Sequence, residues 1–409
     1  MSINETPSGE RLHIGIFGRR NAGKSSLINA ITGQDLAIVS DVKGTTTDPV
    51  KKAMELLPLG PVVLIDTPGL DDEGLLGQKR MEKALQALRQ TDIVILTIPA
   101  DAALDGLEKT LIQEAKKRGL PFFVVLNKTD LLADKKQIEE KEKEIAQALS
   151  IPLDVIVPVS AEKNEGIHAL KEKLANGIPK EQERPLIRDL LSPGDLVVLV
   201  VHIDSAAPKG RLILPQQQVI RDSLEAGAVP VVTRDSELAQ ALSSLGKKPR
   251  LIVTDSQVFG AVAKIVPKDI PLTSFSILMA RYKGDLEVQI AGAKAIETLQ
   301  DGDTVLISEG CTHHRQCDDI GTVKMPRWIK EYTGKDLQFA FTSGGEFPKD
   351  LSSYAMVVHC GGCTLPLQEM RYRIFYGAKQ EVAITNYGVM IAYIHGILPR
   401  VTEIFVDKK

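Results

Sequence analysis

The chain has 409 residues, 43% of them hydrophobic and 25% charged, with a net charge of −3. That much apolar material excludes wholesale disorder and suffices for two or three cores, while the slightly acidic balance gives no support to a broad basic nucleic-acid surface. No run of about 18 residues lacks polar interruption, and the N-terminal MSINETPSGERL has no apolar signal core. A membrane span is therefore not expected, and the cytoplasm is the expected location.

In chain order, Leu12–Phe17 reads as a short apolar strand and Lys24–Ile31 as a helix. Val62–Ile65, Ile93–Ile98, Phe122–Leu126 and Val155–Val159 read as further strands with helical patterns between them. This alternation predicts a mostly parallel sheet with helices on both faces. The Lys- and Glu-rich run Lys135–Leu149 reads as a solvated helix face. Ile178–Pro185, with two prolines and four charges, is the best linker. Leu196–His202, Val229–Thr233 and Leu251–Thr254 look like buried strands. Helices are expected at Gln216–Ala226, Ser236–Leu245 and Val258–Ile265. Val266–Pro271 marks a second boundary. Beyond it Leu286–Leu299 reads as a helix, and Thr304–Ser308, Gln338–Thr342 and Ala355–His359 as strands. The expected domains are 1–180, 186–268 and 272–409.

Gly18-Arg-Arg-Asn-Ala-Gly23-Lys24-Ser25 matches G-x-x-x-x-G-K-[ST] between a predicted strand and a predicted helix, the context of a phosphate-binding loop. Gly18, Asn21, Ala22, Gly23, Lys24, Ser25 and Ser26 are the candidate phosphate contacts. Glycines let the backbone curl round a phosphate, and the helix start presents unpaired N–H groups. Lys24 adds a point charge, and the Ser25 hydroxyl can ligate Mg²⁺. Asp66-Thr-Pro-Gly69 follows a strand, where a magnesium-side carboxylate and a phosphate-sensing glycine are expected. Asn127-Lys128-Thr-Asp130 follows another. Its carboxylate suits the two adjacent N–H donors of guanine, its asparagine can contact the base, and the Lys128 stem can pack on the ring. Ser160-Ala161 suits a backbone contact to the guanine carbonyl. The chain resembles the P-loop GTPase superfamily through these four motifs. Gly44-Thr-Thr46-Thr-Asp48 resembles the switch I of bacterial GTPases related to the tRNA-modification enzyme TrmE. That resemblance implies Thr46 as a magnesium ligand and Asn21 as a K⁺ ligand, although Asn21 can equally cap a turn. No glutamine follows Gly69 to orient water. Leu70 stands there, and nothing singles out Asp71, Asp72 or Glu73, so intrinsic hydrolysis is expected to be slow.

The four cysteines, Cys311, Cys317, Cys360 and Cys363, all lie in the last third. Such clustering in a large intracellular chain reads as a metal or redox site rather than a disulfide framework. Cys311-Thr-His313 and His359-Cys360-Gly-Gly-Cys363 each follow a predicted strand. They would meet at one sheet edge if those strands are parallel neighbours. Thiolates select zinc or iron–sulfur clusters. A structural zinc held by cysteines and histidines remains open at this point, as does a redox pair. Together with the upstream GTPase motifs, the pattern resembles the HydF family, GTPases of iron–iron hydrogenase maturation. The resemblance covers the whole chain and implies an α/β fold, a P-loop GTPase domain followed by two smaller α/β domains. It further implies a homodimer and a 4Fe–4S cluster on Cys311, Cys360 and Cys363, with His313 and His359 nearby. GTP/GDP, Mg²⁺ and K⁺ would serve the first domain. Radical-SAM maturases and apo-hydrogenase would be partners, with no membrane or nucleic acid. A regulatory GTPase with a zinc domain and an RNA-modification GTPase are the alternatives. Cys317 reads as a bystander in preference to a fourth thiolate, and Asp318 and Asp319 as oxygen ligands or helix caps. Trp328 reads as core packing, His168, His202 and His395 as structural, and Arg371 and Arg373 as a solvated helix face.

Overall fold

The structure is a computed structural model that describes residues 6–33, 49–69, 74–104, 106–177, 185–203, 212–311 and 319–405. It forms two compact units, Met1–Gln182 and Glu183–Lys409, and the break falls inside the stretch Ile178–Pro185. Thr46, the switch I motif, Leu70, Asp71, Asp72, Glu73, His313, Cys317 and Asp318 lie outside the described residues.

The first unit is built on a six-stranded sheet of β1 (Leu12–Gly18), β2 (Val50–Leu56), β3 (Gly60–Asp66), β4 (Ile93–Pro99), β5 (Phe122–Asn127) and β6 (Ile156–Pro158). Its order is β2-β3-β1-β4-β5-β6, with only β2 antiparallel. Central strands flanked by helices on both faces read as near-continuous apolar runs, and β4 is buried throughout. Alternate residues serve opposite faces. Val94, Leu96 and Ile98 pack with Leu111 and Ile112 of one helix, whereas Ile93 and Ile95 join Leu27 and Ile28 of another. The sequence pattern hid β2, because only Lys52, Met54 and Leu56 of VKKAMEL turn inward and the other positions are exposed. Lys135–Leu149 is a helix over the expected residues, capped by Asp134, with Ile145 and Leu149 buried.

The second unit holds two four-stranded sheets. The first comprises β7 (Leu196–Val201), β8 (Val229–Arg234), β9 (Leu251–Thr254) and β10 (Leu272–Ser274), in the order β10-β9-β7-β8. The other comprises β11 (Thr304–Ser308), β12 (Gln338–Thr342), β13 (Met356–His359) and β14 (Ala383–Asn386), in the order β12-β11-β13-β14. Every pairing in both sheets is parallel.

One apolar core serves both sheets. Val198, Val200, Ile252 and Leu272 pack in the same cluster as Val305, Ile307, Met356 and Val358. The helix Tyr387–Ile394, buried at six of its positions, belongs to that cluster. It accounts for the most apolar stretch of the sequence, since a helix apolar all round belongs inside a protein core. Among the described residues no helix is long and apolar enough to cross a membrane.

Three expectations change. β8 was expected to be buried, yet it is an edge strand with Val229 and Val232 exposed. The helix expected over Leu286–Leu299 is α-helical only for Leu286–Ala293 and tightens to a 3-10 turn at Lys294–Thr298. Residues from 272, assigned by sequence to the third domain, begin with β10, which pairs with β9 of the preceding sheet. Three residues, Leu-Thr-Ser, are too few to register as a strand by pattern.

Phe259 is fully buried in the shared core. Phe259→Ala is expected to destabilise the second unit by about 3–5 kcal/mol, read as a lower urea midpoint with unchanged slope.

Candidate functional site

The phosphate loop follows the buried strand β1. Gly18, its last residue, has φ 150, and a Cβ there would strike the Thr97 carbonyl. Gly23 has φ 83 and lies against the Asn127 amide, so neither glycine can carry a side chain without displacement. Asn21 adopts φ 58, a left-handed conformation that asparagine tolerates better than most residues. Lys24 opens the helix Lys24–Thr32, and its buried ammonium donates to the carbonyls of Gly18 at 2.9 Å and Arg19 at 2.7 Å. Ala22 is buried beneath the loop, and Ser25 and Ser26 are half-buried in the first turn.

Asp66 ends β3, in register with Ile16 of β1. Burial raises its carboxyl pKa, opposed by the charges of Lys24 and Lys52. Its Oδ1 is buried without a hydrogen-bond partner among the described residues. An orphaned carboxylate oxygen beside a phosphate loop fits a hard cation such as Mg²⁺. Gly69 touches the loop directly, since a Cβ there would come within 2.8 Å of the Arg20 backbone.

Asn127 ends β5 and joins two loops. Its Nδ2 donates to Ala22 O at 3.0 Å, and its Oδ1 accepts from Ala161 N at 3.1 Å. Asn127, expected against the base, thus ties the phosphate loop to the Ser160-Ala161 loop. Ser160 Oγ donates to Asp130 Oδ1 at 2.6 Å. That bond is the main reason the Asp130 carboxyl stays below its usual range. Lys128 sits at φ 62 with its ammonium 3.7 Å from Asp101. Sequence reasoning missed Arg19, whose guanidinium meets the buried Glu108 at 2.6 and 3.2 Å. Their separation in the chain leaves no local signal.

The cysteines follow the same strand-end logic. β11 and β13 are parallel neighbours with Ser308 opposite His359, so Cys311 and Cys360 emerge at one edge. Cys311, Cys360 and Cys363 are partly exposed and line one cavity of about 290 Å³. Tyr387, Ser276 and Met279 also line it. Cys360 Sγ accepts from Gly310 N at 3.0 Å and Gly362 N at 3.4 Å. Burial first, then nearby Cys311, push the Cys360 thiol up to about 12, against those two amides. Burial also raises the Cys363 thiol, opposed by the charge of Lys283. Among the described residues no three His, Cys, Asp or Glu side chains are grouped to hold a metal ion. Three thiols round one cavity, with amides aimed at sulfur, are a donor set suited to a cluster.

His359 is not a ligand candidate in this geometry. Arginine only donates, so Arg373 Nη1, at 2.9 Å, makes His359 Nε2 an acceptor. The ring proton on Nδ1 then goes to Cys360 O at 2.7 Å. Both nitrogens are engaged, and burial together with the Arg373 charge lowers the ring pKa to about 3. Arg373 itself is wholly buried, contrary to the expected solvated face. It binds Glu369 at 2.8 Å and the Gly344 carbonyl at 2.9 Å, and lies over the Phe347 ring at 5.0 Å. Asp319 is a helix cap, accepting from Thr322 N at 2.8 Å. Trp328 packs against the shared core.

Family models match three segments: a hydrogen maturase F tetramerization domain over 287–404, a hydrogen maturase F dimerization domain over 186–284, and a 50S ribosome-binding GTPase domain over 13–128. The chain belongs to the hydrogen maturase F family. Its GTPase domain is 34% identical over 170 residues to GTPase Der of Kosmotoga olearia, covering 40% of this chain and 38% of that protein. It is 31% identical over 170 residues to GTPase Era of Ruminiclostridium cellulolyticum, covering 41% and 55%. It is 36% identical over 169 residues to the tRNA modification GTPase MnmE of Ligilactobacillus salivarius, covering 41% and 34%. The chain therefore spans between about a third and about a half of these relatives' lengths. A crystal structure of Aquifex aeolicus Era bound to GDP.AlF4− is 21% identical with a TM-score of 0.37, covering 54% of this chain and 92% of that one.

Two outcomes test this geometry. Ser160→Ala removes the bond that favours the Asp130 carboxylate, so Asp130 should titrate at higher pH in a carboxyl-resolved NMR titration. Arg373→Met leaves Glu369 as an unpaired buried charge. It is expected to cost about 3–5 kcal/mol, measured by denaturant unfolding.

Proposed function

We propose that the chain is a GTP-hydrolysing scaffold of iron–iron hydrogenase maturation. It holds a 4Fe–4S cluster on Cys311, Cys360 and Cys363, accepts a diiron precursor and delivers it to apo-hydrogenase. The observation that carries this reading is the convergence of three cysteines on one cavity, in a chain of the maturase family. A cluster bound there supplies an iron face and a redox-active charge. The chain's own part is to aim sulfur and amide groups at it.

In the first unit Lys24, the loop amides and the helix start would hold the GTP phosphates. Ser25, Asp66 and Thr46 would hold Mg²⁺, and Gly69 would sense the terminal phosphate. Asp130 would take the two adjacent guanine donors, with Ala161 and the Lys128 stem beside the base. Asn21 would hold K⁺. Catalysis would rest on positioning and charge neutralisation, and nucleotide state would gate exchange of partners, the radical-SAM maturases and apo-hydrogenase. The chain would work as a homodimer or larger assembly through its last two domains, in the cytoplasm, without membrane or nucleic acid.

Anaerobic purification with metal and sulfide analysis tests the reading. About four irons and four sulfides per chain are expected, and one zinc without iron would overturn it. Lys24→Ala should lower GTP turnover by at least about 100-fold while leaving the iron content unchanged.

A further inference from the structure

The first loop residue after β1 is held by both its backbone and its side chain. The Arg19 carbonyl accepts from the Lys24 ammonium at 2.7 Å and from Ala22 N at 3.3 Å. Its guanidinium reaches out of the loop to the helix Gly106–Lys117, where Glu108 stands in the first turn. Nε donates to Glu108 Oε1 at 2.6 Å and Nη2 to Oε2 at 3.2 Å, between residues 89 apart in the chain. Two parallel bonds fix direction as well as distance, which a single point charge does not. The Glu108 side chain is 3% exposed and that of Arg19 20%. A carboxylate is costly to bury unless it is paired and hydrogen-bonded, and the partner this one meets belongs to the phosphate loop. The same helix is pinned by Leu111, Ile112 and Ala115, all buried in the core of the first unit. Glu108 therefore stands on a rigid element, and the carbonyl that holds the Lys24 charge belongs to the residue it grips.

We propose that Arg19 is a positioning residue for GTP hydrolysis: Glu108 clamps its guanidinium, which fixes the carbonyl that holds the Lys24 ammonium and ties the phosphate loop to the helix Gly106–Lys117. The inference rests on the nucleotide part of the reading above and on none of the cluster part. Phosphoryl transfer relies on positioning and on electrostatic stabilisation, and a misplacement of about 1 Å can cost about 100-fold in rate. Lys24 meets charge that develops during transfer, so loss of its placement falls on the rate more than on the affinity for GTP.

The test uses the full chain in wild-type, Arg19→Met, Glu108→Leu, Arg19→Lys and Arg19→Met/Glu108→Leu forms. Single-turnover hydrolysis reads the chemical step, and titration with a fluorescent GTP analogue reads affinity. Each single variant should hydrolyse GTP at least about tenfold more slowly, with affinity within about threefold of wild type. The double variant should be no slower than the slower single one, because the two residues act as a unit. Arg19→Lys keeps the charge without the fork and should stay slow. A folded double variant with the wild-type rate overturns the inference, as do losses that multiply in the double variant. Arg19→Lys at the wild-type rate also overturns it, since charge alone would then suffice. A wild-type protein that turns over no GTP overturns the nucleotide reading, and this inference with it. If a single variant fails to fold by circular dichroism, the double variant, which buries neither of these two charges, replaces it, and the same slow rate with near-normal affinity is expected. Failure of the double variant to fold as well assigns the pair a purely structural role and overturns the proposal.

Discussion

A parallel strand leaves its sheet with its last polar groups unpaired and its side chains fanning away from the ladder. The candidate site residues described above cluster at such exits. Gly18 ends β1 with Lys24 just beyond it, Asp66 ends β3, and Asn127 ends β5. In the second unit Cys311 follows β11 and Cys360 follows β13. Because neighbouring strands run the same way, residues far apart in sequence arrive at one edge without any long-range signal. The loops can then afford strained turns and half-buried polar atoms, since the rigid sheet behind them fixes both ends of each loop.

That dependence also decides what could be read from the sequence. Glycine and lysine at fixed spacing after an apolar run define the phosphate loop, because only those residue types satisfy its backbone and charge. The cysteine pairs were legible for the same reason. The α/β character followed from continuous apolar runs such as Ile93–Pro99, which central strands require. What escaped was set by partners rather than by spacing. Arg373 sits on a helix whose pattern resembles a solvated face, and only Glu369, His359 and Phe347 around it explain its burial. Lys283 looks like an ordinary helix-terminal lysine until its three carbonyl partners are seen. β2 and β10 were lost because one is half-polar and the other three residues long.

Buried charge is treated differently in the two units. At the nucleotide site Asp66 keeps an oxygen without a hydrogen-bond partner among the described residues, which suits a group that meets a cation. At the cysteine site the buried cations meet protein groups: carbonyls for Lys283, and a carboxylate, an imidazole and a carbonyl for Arg373. The first arrangement is open to exchange, and the second holds its shape before anything binds. A site that must trade nucleotide repeatedly and a site that must keep thiols in register place opposite demands on their polar groups.

The common interior of the second unit has a consequence for inheritance. Val198 and Ile252 on one sheet and Val305 and Val358 on the other fill the same space. A recombination joint between residues 284 and 287, where the two maturase segments meet in sequence, would expose half of that interior on each fragment. The pair would therefore travel between genomes together, and change on one side of the interior would be answered by change on the other.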